Sequence, residues 1–294
     1  MNPSHGDLMN QPHPRYRFGV QTPDVRHAPG SWRQAVDAPK IFTPEYYARM
    51  RDLESASWWN AGMRDVAASV LEVAELPARG VMLDVGCGSG QTMTWFRRLR
   101  PDWRTVGLDV ASEGLGAASS LGETTVMKAS ALHLPLPSAS VDLVITLDVL
   151  QHLPLNGGDR QALTEMARVL KPGGYVFART NAQSFPHTAD DPAFEFRKYE
   201  PPQLRQRLEE AGFDVLRLSR INAVLGLAEI PRELKARNQA NSYHGILSEV
   251  QAEPAWQSTI KRRWLAFEGR ALRAGVRWPI GRSLVALGRR QRSP

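Results

Sequence analysis

Three glycines at alternating positions directly follow a short apolar run in the first half of the chain. The segment Val81–Gly90 reads VMLDVGCGSG and contains Gly86, Gly88 and Gly90. Glycine lacks a Cβ, so the backbone of such a loop can turn sharply and approach a ligand closely. Between a strand and a helix, this loop predicts a ligand site beyond the carboxyl ends of the strands of an open sheet.

An acidic residue, Asp109, ends the next apolar run. It lies 23 residues after Gly86, close to the spacing of about 20 residues at which an acid binds ribose hydroxyls. A carboxylate can accept hydrogen bonds from both vicinal hydroxyls, which favours an unphosphorylated ribose. The alternative is that the glycines form only a tight turn and that Asp109 merely ends a strand.

The spacing of the glycines also bears on which nucleoside would bind. A dinucleotide-binding loop has the pattern G-x-G-x-x-G, but here Gln91 occupies the place of the last glycine. Asp84 precedes the loop, and an acid suits a cationic group better than a diphosphate. These features count against a dinucleotide.

Strand-like and helix-like segments alternate from Val81 onwards. Strands that are apolar throughout and joined by helices predict an α/β fold, with a doubly wound and mostly parallel sheet covered on both faces. The predicted strands are Val81–Val85, Thr105–Val110, Thr124–Lys128, Val141–Leu147, Tyr175–Arg179 and Phe213–Leu218. The predicted helices are Gln91–Arg100, Glu113–Leu121, Asp159–Leu170 and Pro201–Ala211.

Further motifs follow the glycine loop in the order found in a known family. They are Leu134–Pro137 (LPLP), Ser140–His152 (SVDLVITLDVLQH), Arg168–Gly174 (RVLKPGG) and Arg197–Phe213. Together with the loop, they resemble the Rossmann-like (class I) S-adenosylmethionine-dependent methyltransferases. The resemblance is to the small-molecule branch that includes quinone-biosynthesis methyltransferases, and it covers roughly residues 80–220.

The resemblance implies a seven-stranded sheet whose antiparallel last strand lies between strands five and six. Ser283–Gly288 is the candidate for that strand, because the break at Pro279–Gly281 favours a strand over a continued helix. Helical insertions are expected at the N-terminus and before strand seven. The predicted parts are a disordered arm at 1–40, N-terminal helices covering the cofactor site at 41–77, the methyltransferase core at 78–220, a helical insertion or lid at 221–279, and the last strand at 280–290.

The resemblance also implies roles for individual residues in binding S-adenosyl-L-methionine. The glycine loop would frame the methionine part, Asp84 would approach its ammonium group, and Asp109 would hold the ribose. Ser130 stands where relatives usually carry an Asp for the adenine amine, so a weaker hydrogen bond is expected there. The predicted cofactor-binding residues are Asp84, Gly86, Cys87, Gly88, Gly90, Asp109, Val110, Ser130, Ala131, Leu147 and Arg64.

Two tryptophans, Trp58 and Trp59, precede the core together with Arg64. Relatives often carry such a pair followed by an arginine, which implies that this segment closes over the cofactor and that Arg64 binds its carboxylate. Packing of the two tryptophans on the sheet is the alternative.

Methyl transfer from a sulfonium is an in-line displacement, so a general base is needed only when the acceptor carries a proton at neutral pH. Asp148 and His152 are the candidate catalytic residues, four positions apart after strand four and predicted to share one face of a short helix. The alternative for His152 is a place in the site wall or packing against the sheet. Tyr199 and His187 are weaker candidates.

Two observations narrow the class of acceptor. Thr146–Val149 stands where enzymes that methylate exocyclic amines of bases carry Asn/Asp-Pro-Pro-Tyr. The single cysteine, Cys87, lies in the glycine loop, which leaves no thiol for methylating pyrimidine C5. A small-molecule or lipid-linked acceptor remains, and nucleic acid is not expected.

The net charge of +7 arises from the C-terminal part of the chain, since residues 260–294 contain ten Lys/Arg residues and one acidic residue. Arginines alternate there with aromatic residues, which suggests peripheral contact with an anionic membrane. A solvated face of a packed helix is the alternative. A cytoplasmic location is expected, because the sequence shows no signal segment or membrane span. The residues of this pattern are Arg262, Arg263, Arg270, Arg273, Arg277, Trp264, Phe267 and Trp278.

Two other functions compete with an enzyme of this family. A catalytically inactive S-adenosylmethionine-binding module is favoured by Ser130 and opposed by the intact glycine loop and Asp109. A nicotinamide-dependent oxidoreductase would bind NAD more tightly than S-adenosylmethionine, which is not expected from the loop.

Overall fold

The computed structural model describes residues 57–119, 125–183, 197–223 and 254–292, and the elements below lie in these ranges. The strands are β1 (Val81–Val85), β2 (Arg104–Asp109), β3 (Thr125–Lys128), β4 (Val141–Leu147), β5 (Leu170–Asn181), β6 (Phe213–Ile221) and β7 (Ser283–Arg290). The α-helices are α1 (Trp58–Leu71), α2 (Gln91–Leu99), α3 (Ser112–Ser119), α4 (Gly158–Val169), α5 (Pro201–Glu210) and α6 (Ala255–Arg273). A short 3-10 helix spans Leu150–His152.

The seven strands form one sheet in the order β3-β2-β1-β4-β5-β7-β6. Parallel pairing joins β1 to β2 and β4, β2 to β3, and β4 to β5. Strand β7 pairs antiparallel with both β5 and β6. The predicted fold class is therefore confirmed, including the insertion of the last strand between strands five and six.

Helices cover both faces of the sheet, as expected for strands that are apolar throughout. In β4, Val144 packs into one core with Leu163 of α4 and Leu204 of α5. Its neighbours Leu143 and Ile145 point to the other face, since side chains alternate along a strand. That second core holds apolar residues of α1, α2, α3 and α6.

Strand β5 begins at Leu170 rather than at the predicted Tyr175. The RVLKPGG segment therefore contains the first residues of β5, because Leu170 pairs with Val141 ahead of a register shift between β4 and β5. The ammonium group of Lys171 lies 2.8 Å from the Asp142 carboxylate and holds this extension in place.

Helices α1 and α6 pack closely and run in the same direction. Cβ atoms at Gly62 and Gly269 would lie 2.6 Å from Leu265 and 2.8 Å from Val66, so the two glycines permit the close approach. The buried carboxylate of Glu268 anchors α6 to the end of β6 by accepting hydrogen bonds from the backbone N–H groups of residues 222 and 223. None of the helices in the described ranges has the length and apolar character needed to cross a bilayer.

Several predicted features lie outside the described residues. They are the disordered arm at 1–40, residues 41–56 of the N-terminal helices, His187, and residues 224–253 of the predicted insertion. Within the described part of that insertion, α6 agrees with a helical segment.

Candidate functional site

The glycine loop leaves β1 in left-handed backbone conformations. Gly86, Gly88 and Gly90 have φ values of 79°, 48° and 81°, which residues with a Cβ rarely adopt. The N–H groups of Gly86 and Cys87 both donate to the carbonyl of Leu108, at 2.8 and 2.9 Å. The loop is thus fixed to the end of β2, and α2 begins directly after it at Gln91.

Asp109 lies at the end of β2 and is tied to this loop. One carboxylate oxygen accepts a hydrogen bond from the backbone N–H of Gly88, and the other accepts one from Ala111, each at 2.9 Å. The residue is only 7% exposed. The structure therefore brings Asp109 and the glycine loop together, as the sequence predicts.

Close packing around the loop depends on two glycines. A Cβ at Gly86 would lie 2.2 Å from Cγ2 of Val149, and a Cβ at Gly114 would lie 2.9 Å from the carbonyl oxygen of Gly88. Gly114 is on α3 and is not among the predicted site residues. A glycine within a helical segment is the only sequence signal for it, because helix interiors disfavour glycine.

Asp84 and Cys87 are both buried next to the loop. Asp84 is 1% exposed near the end of β1. Burial, with Asp84 and Asp109 nearby, raises the pKa of the Cys87 thiol far above its ordinary value. Cys87 therefore stays a thiol at neutral pH and cannot act as a nucleophile.

Ser130 and Ala131 follow β3, next to the end of β2. The backbone N–H of Leu132 donates to the Ser130 hydroxyl oxygen at 3.2 Å, so that oxygen stabilises its own turn. Ala131 is buried, while Val110 and Leu147 are partly buried. Their assignment to the cofactor site remains a prediction.

Asp148 does not lie on a helix, so the expectation that it shares a helical face with His152 is wrong. Its φ of 57° is left-handed, and this turns the chain between β4 and the 3-10 helix that begins at Leu150. Its carboxylate forms a bidentate ion pair with the guanidinium group of Arg179 at the end of β5. Arg179 also lies 6.0 Å from the ring centroid of Trp59.

Arg179 lies at the candidate site but is not among the residues predicted from the sequence, although the sequence contains a signal for it. It is a charged residue at the end of an apolar run, and such residues are seldom buried unless paired. Its side chain is 9% exposed, against 38% for that of Asp148. A nearly buried guanidinium therefore lies at the carboxyl edge of the sheet with a more exposed carboxylate beside it.

His152 and Tyr199 differ in how they could take part in chemistry. Burial lowers the pKa of His152 to about 4, although the nearby Asp148 opposes this shift, so the imidazole is neutral at pH 7. Tyr199 is fully buried, and its hydroxyl lies between Arg197 and Asp159. Tyr199 is therefore a structural residue, and its proposed catalytic role is not supported.

The first turns of α1 lie beside Arg179. Trp58 and Trp59 form an edge-to-face pair with ring centroids 6.0 Å apart, and Lys261 of α6 lies over the Trp58 ring at 5.0 Å. Arg64 is partly buried on the second turn of the same helix. Its predicted contact with a cofactor carboxylate remains a prediction.

The chemistry of this edge suits a nucleoside with a cationic group. Asp84 and Asp109 supply two nearly buried carboxylates. The left-handed glycine loop has backbone without a Cβ, which a ligand can approach closely. A dinucleotide would place a diphosphate near these acids, which is unfavourable. In the described ranges no group of His, Cys, Asp or Glu is arranged to hold a metal ion.

Comparison with known families and proteins agrees with this geometry. Residues 83–178 match the family described as "Methyltransferase domain". A Mycolicibacterium smegmatis protein named as a probable S-adenosylmethionine-dependent methyltransferase is 28% identical over 183 residues, which is 61% of this chain and 68% of the relative. The tRNA (carboxymethyluridine(34)-5-O)-methyltransferase of Arabidopsis thaliana is 35% identical over 101 residues, which is 34% of this chain and only 24% of the relative.

Solved structures share the fold at low sequence identity. The phosphoethanolamine N-methyltransferase 2 of Haemonchus contortus, in complex with S-adenosyl-L-methionine, superposes with a TM-score of 0.57 at 14% identity. The match covers 86% of this chain and 58% of that one.

Proposed function

We propose that this chain, which belongs to the Rossmann-like S-adenosylmethionine-dependent methyltransferases, transfers a methyl group to a small-molecule or lipid-linked acceptor. The observation that carries the proposal is the link between the left-handed glycine loop and Asp109, made by the hydrogen bond from the Gly88 N–H. This hydrogen bond holds the glycine backbone and the Asp109 carboxylate together at the carboxyl edge of the sheet, where ligands of open α/β folds bind.

In this proposal each residue of the edge has one binding task. Asp109 accepts hydrogen bonds from the ribose hydroxyls with the lone pairs that Gly88 and Ala111 leave available. Asp84 stabilises the ammonium group, and the glycine loop gives the methionine part room. Val110 and Ala131 flank the adenine, and Ser130 takes the place of the acid found in relatives.

S-Adenosylmethionine supplies an activated methyl group when bound, so the protein mainly has to align the acceptor. The ends of β4 and β5 are suited to this task. The Asp148–Arg179 ion pair fixes the two strand ends relative to each other, and Trp59 lies against the guanidinium. Holding two reactants in line can lower the activation barrier by up to roughly 11 kcal/mol.

His152 would serve as a base only for an acceptor with an acidic proton. A neutral imidazole can accept a proton at pH 7, but a pKa of about 4 makes it a weak base. An acceptor that carries a lone pair without a proton to lose would need no base, and His152 would then form part of the site wall.

Features of the sequence and one relative bear on the class of the acceptor. Thr146–Val149 and the buried Cys87 thiol argue against two routes of base methylation. The Arabidopsis relative is named for a tRNA substrate, so RNA must be included in any acceptor test.

Formation of S-adenosylhomocysteine tests the proposal directly. Purified full-length protein would be incubated with S-adenosylmethionine and, separately, with polar metabolites, lipid extract or total RNA. The expected result is release of S-adenosylhomocysteine with the metabolite or lipid fraction, and its loss in Asp109→Ala. Turnover with RNA alone would contradict the acceptor class. Tight cofactor binding without turnover in any fraction would instead favour the alternative of a catalytically inactive binding module, which the presence of Ser130 suggests.

A further inference from the structure

Among the residues that the structure describes, the large exposed apolar side chains are concentrated in one segment. In the part of the chain that the structure describes, seven large hydrophobic residues are exposed, and five of them lie between residues 256 and 280. The five are Trp256 (63% exposed), Ile260 (58%), Phe267 (46%), Val276 (47%) and Ile280 (41%). Single exposed apolar residues are ordinary, but a cluster of them marks an interaction surface.

On α6 this cluster forms a stripe that alternates with arginine. Trp256, Ile260, Arg263, Phe267 and Arg270 are exposed and follow one another at spacings of four and three residues, which places them on one helical face. The opposite face carries Leu265 and Leu272, which are buried in the core. Phe267 contacts Trp278 at 6.2 Å between ring centroids, and this connects the stripe to the segment after the helix.

Ion pairs divide the arginines of this region into two groups. Arg262 binds Asp65, and Arg273 binds Glu72, both on or next to α1, so these two help to hold the helices together. Arg263, Arg270 and Arg277 are exposed and form no ion pair with any other described residue. We define the aromatic–basic surface as these three arginines together with Trp256, Ile260, Phe267, Val276 and Ile280.

The first half of α6 lies at the same edge of the sheet as the candidate site. Lys261, one position after Ile260, lies over the ring of Trp58. Trp59, the next residue, contacts Arg179 at the end of β5. Glu268, further along α6, binds the backbone that follows β6. The aromatic–basic surface therefore borders the carboxyl edge.

We propose that the aromatic–basic surface docks the protein on a membrane surface that contains anionic lipids. The three arginines bind lipid phosphates, while the apolar side chains enter the boundary between headgroups and acyl chains. Nucleic acid is the less suitable partner, because three of the five apolar side chains of this surface, Ile260, Val276 and Ile280, offer no ring on which bases can stack. Together with the proposed function, docking here would bring a lipid-linked acceptor to the mouth of the site.

Flotation of the full chain with vesicles tests this proposal. The vesicles are phosphatidylcholine alone or phosphatidylcholine with phosphatidylglycerol. We expect flotation with the anionic vesicles, and loss of at least about tenfold in partitioning for Trp256→Ser/Ile260→Ser/Phe267→Ser. In the triple variant Arg263→Gln/Arg270→Gln/Arg277→Gln, the partitioning onto anionic vesicles should fall by about fivefold for each arginine that is replaced.

Matched controls come from exposed residues elsewhere. Leu99→Ser/Leu155→Ser removes the two large hydrophobic residues that are exposed elsewhere in the described ranges, and Arg98→Gln removes an exposed arginine of α2. These controls should float like the unaltered protein. Equal losses in controls and surface variants, no flotation of the unaltered protein, or binding of an RNA oligonucleotide without binding of vesicles would overturn the proposal. Calorimetric binding of S-adenosylmethionine, measured on every variant, shows that each remains folded and tests the proposed function separately.

Discussion

The backbone N–H of Gly88 donates a 2.9 Å hydrogen bond to the carboxylate of Asp109. Two residues that are 21 positions apart thereby join the turn after β1 to the end of β2. Because Ala111 donates to the second carboxylate oxygen, the acid is held in one orientation before any ligand binds. Such preorganisation reduces the entropy lost on binding.

Replacement of this acid should weaken cofactor binding. In Asp109→Ala the ribose loses its charged acceptor, and hydrogen bonds to charged groups contribute about 1.5–3 kcal/mol each. We expect the Kd for S-adenosylmethionine, measured by calorimetry, to rise by roughly 10- to 100-fold. Asp214→Ala, which alters a carboxylate on β6 that binds Gln291, is the control. Unchanged affinity in folded Asp109→Ala would contradict the assignment.

Gly86→Ala should destabilise the fold more than the same change at another left-handed glycine. At Gly212 (φ 86°) an added Cβ would have no heavy atom within 4 Å, whereas a Cβ at Gly86 (φ 79°) meets Val149. In both variants, placing alanine in a left-handed backbone conformation costs about 1–2 kcal/mol of stability. Overpacking should add about 1–3 kcal/mol for Gly86→Ala alone. Urea denaturation measures the difference, and equal losses in the two variants would refute the steric argument.

Burial of His152 should make stability depend on pH. Its pKa is lowered from 6.5 to about 4 in the folded protein, so between these values the unfolded chain binds a proton that the folded chain does not. The free energy of unfolding should therefore fall as the pH decreases from about 6.5 to about 4. In His152→Asn this component disappears, and the stability curve should be flatter over the same range.

The exposed His133 offers the matched control substitution, His133→Asn, because it removes a histidine at the surface instead of a buried one. Denaturant unfolding of the three proteins at several pH values provides the measurement. A His152→Asn variant with the same slope as the unaltered protein would show that His152 is accessible to protons in the folded state.

Local patterns were sufficient to predict most strands of the sheet and the glycine loop. The alternation of apolar strands and helices and the G-x-G-x-G spacing are encoded in short segments, and Asp109 follows at a fixed distance. The residues of β7 were also predicted, because the break at Pro279–Gly281 separates them from the preceding helix. The place of this strand between strands five and six was implied by the family resemblance. These features depend little on which distant residues meet.

Features that depend on distant contacts were not predictable in the same way. The backbone of Asp148 is left-handed, and its carboxylate meets Arg179, 31 residues away. Arg262 and Arg273 look like members of a basic face in the sequence, yet their partners on or near α1 lie 197 and 201 positions away. Only the folded chain distinguishes the arginines that stabilise the fold from those that remain exposed.

The ion pair between Asp148 and Arg179 should contribute to stability more than an exposed pair of the same charges. The Arg179 side chain is 9% exposed, so loss of its partner leaves a guanidinium that is poorly solvated. A double-mutant cycle with Asp148→Asn and Arg179→Met isolates the coupling, which we expect to be about 1–3 kcal/mol. Asparagine is chosen because it tolerates the left-handed backbone at this position.

The pair Arg205–Glu209 on α5 provides the comparison, because its side chains are 33% and 52% exposed and lie 3.5 Å apart. A cycle with Arg205→Met and Glu209→Gln should give a coupling of at most about 0.5 kcal/mol, as for other exposed pairs one helical turn apart. If both cycles gave the same coupling, solvent would reach Arg179 as freely as it reaches the helix surface. The pair would then not fix the ends of β4 and β5, and the alignment of the acceptor would have to come from other residues.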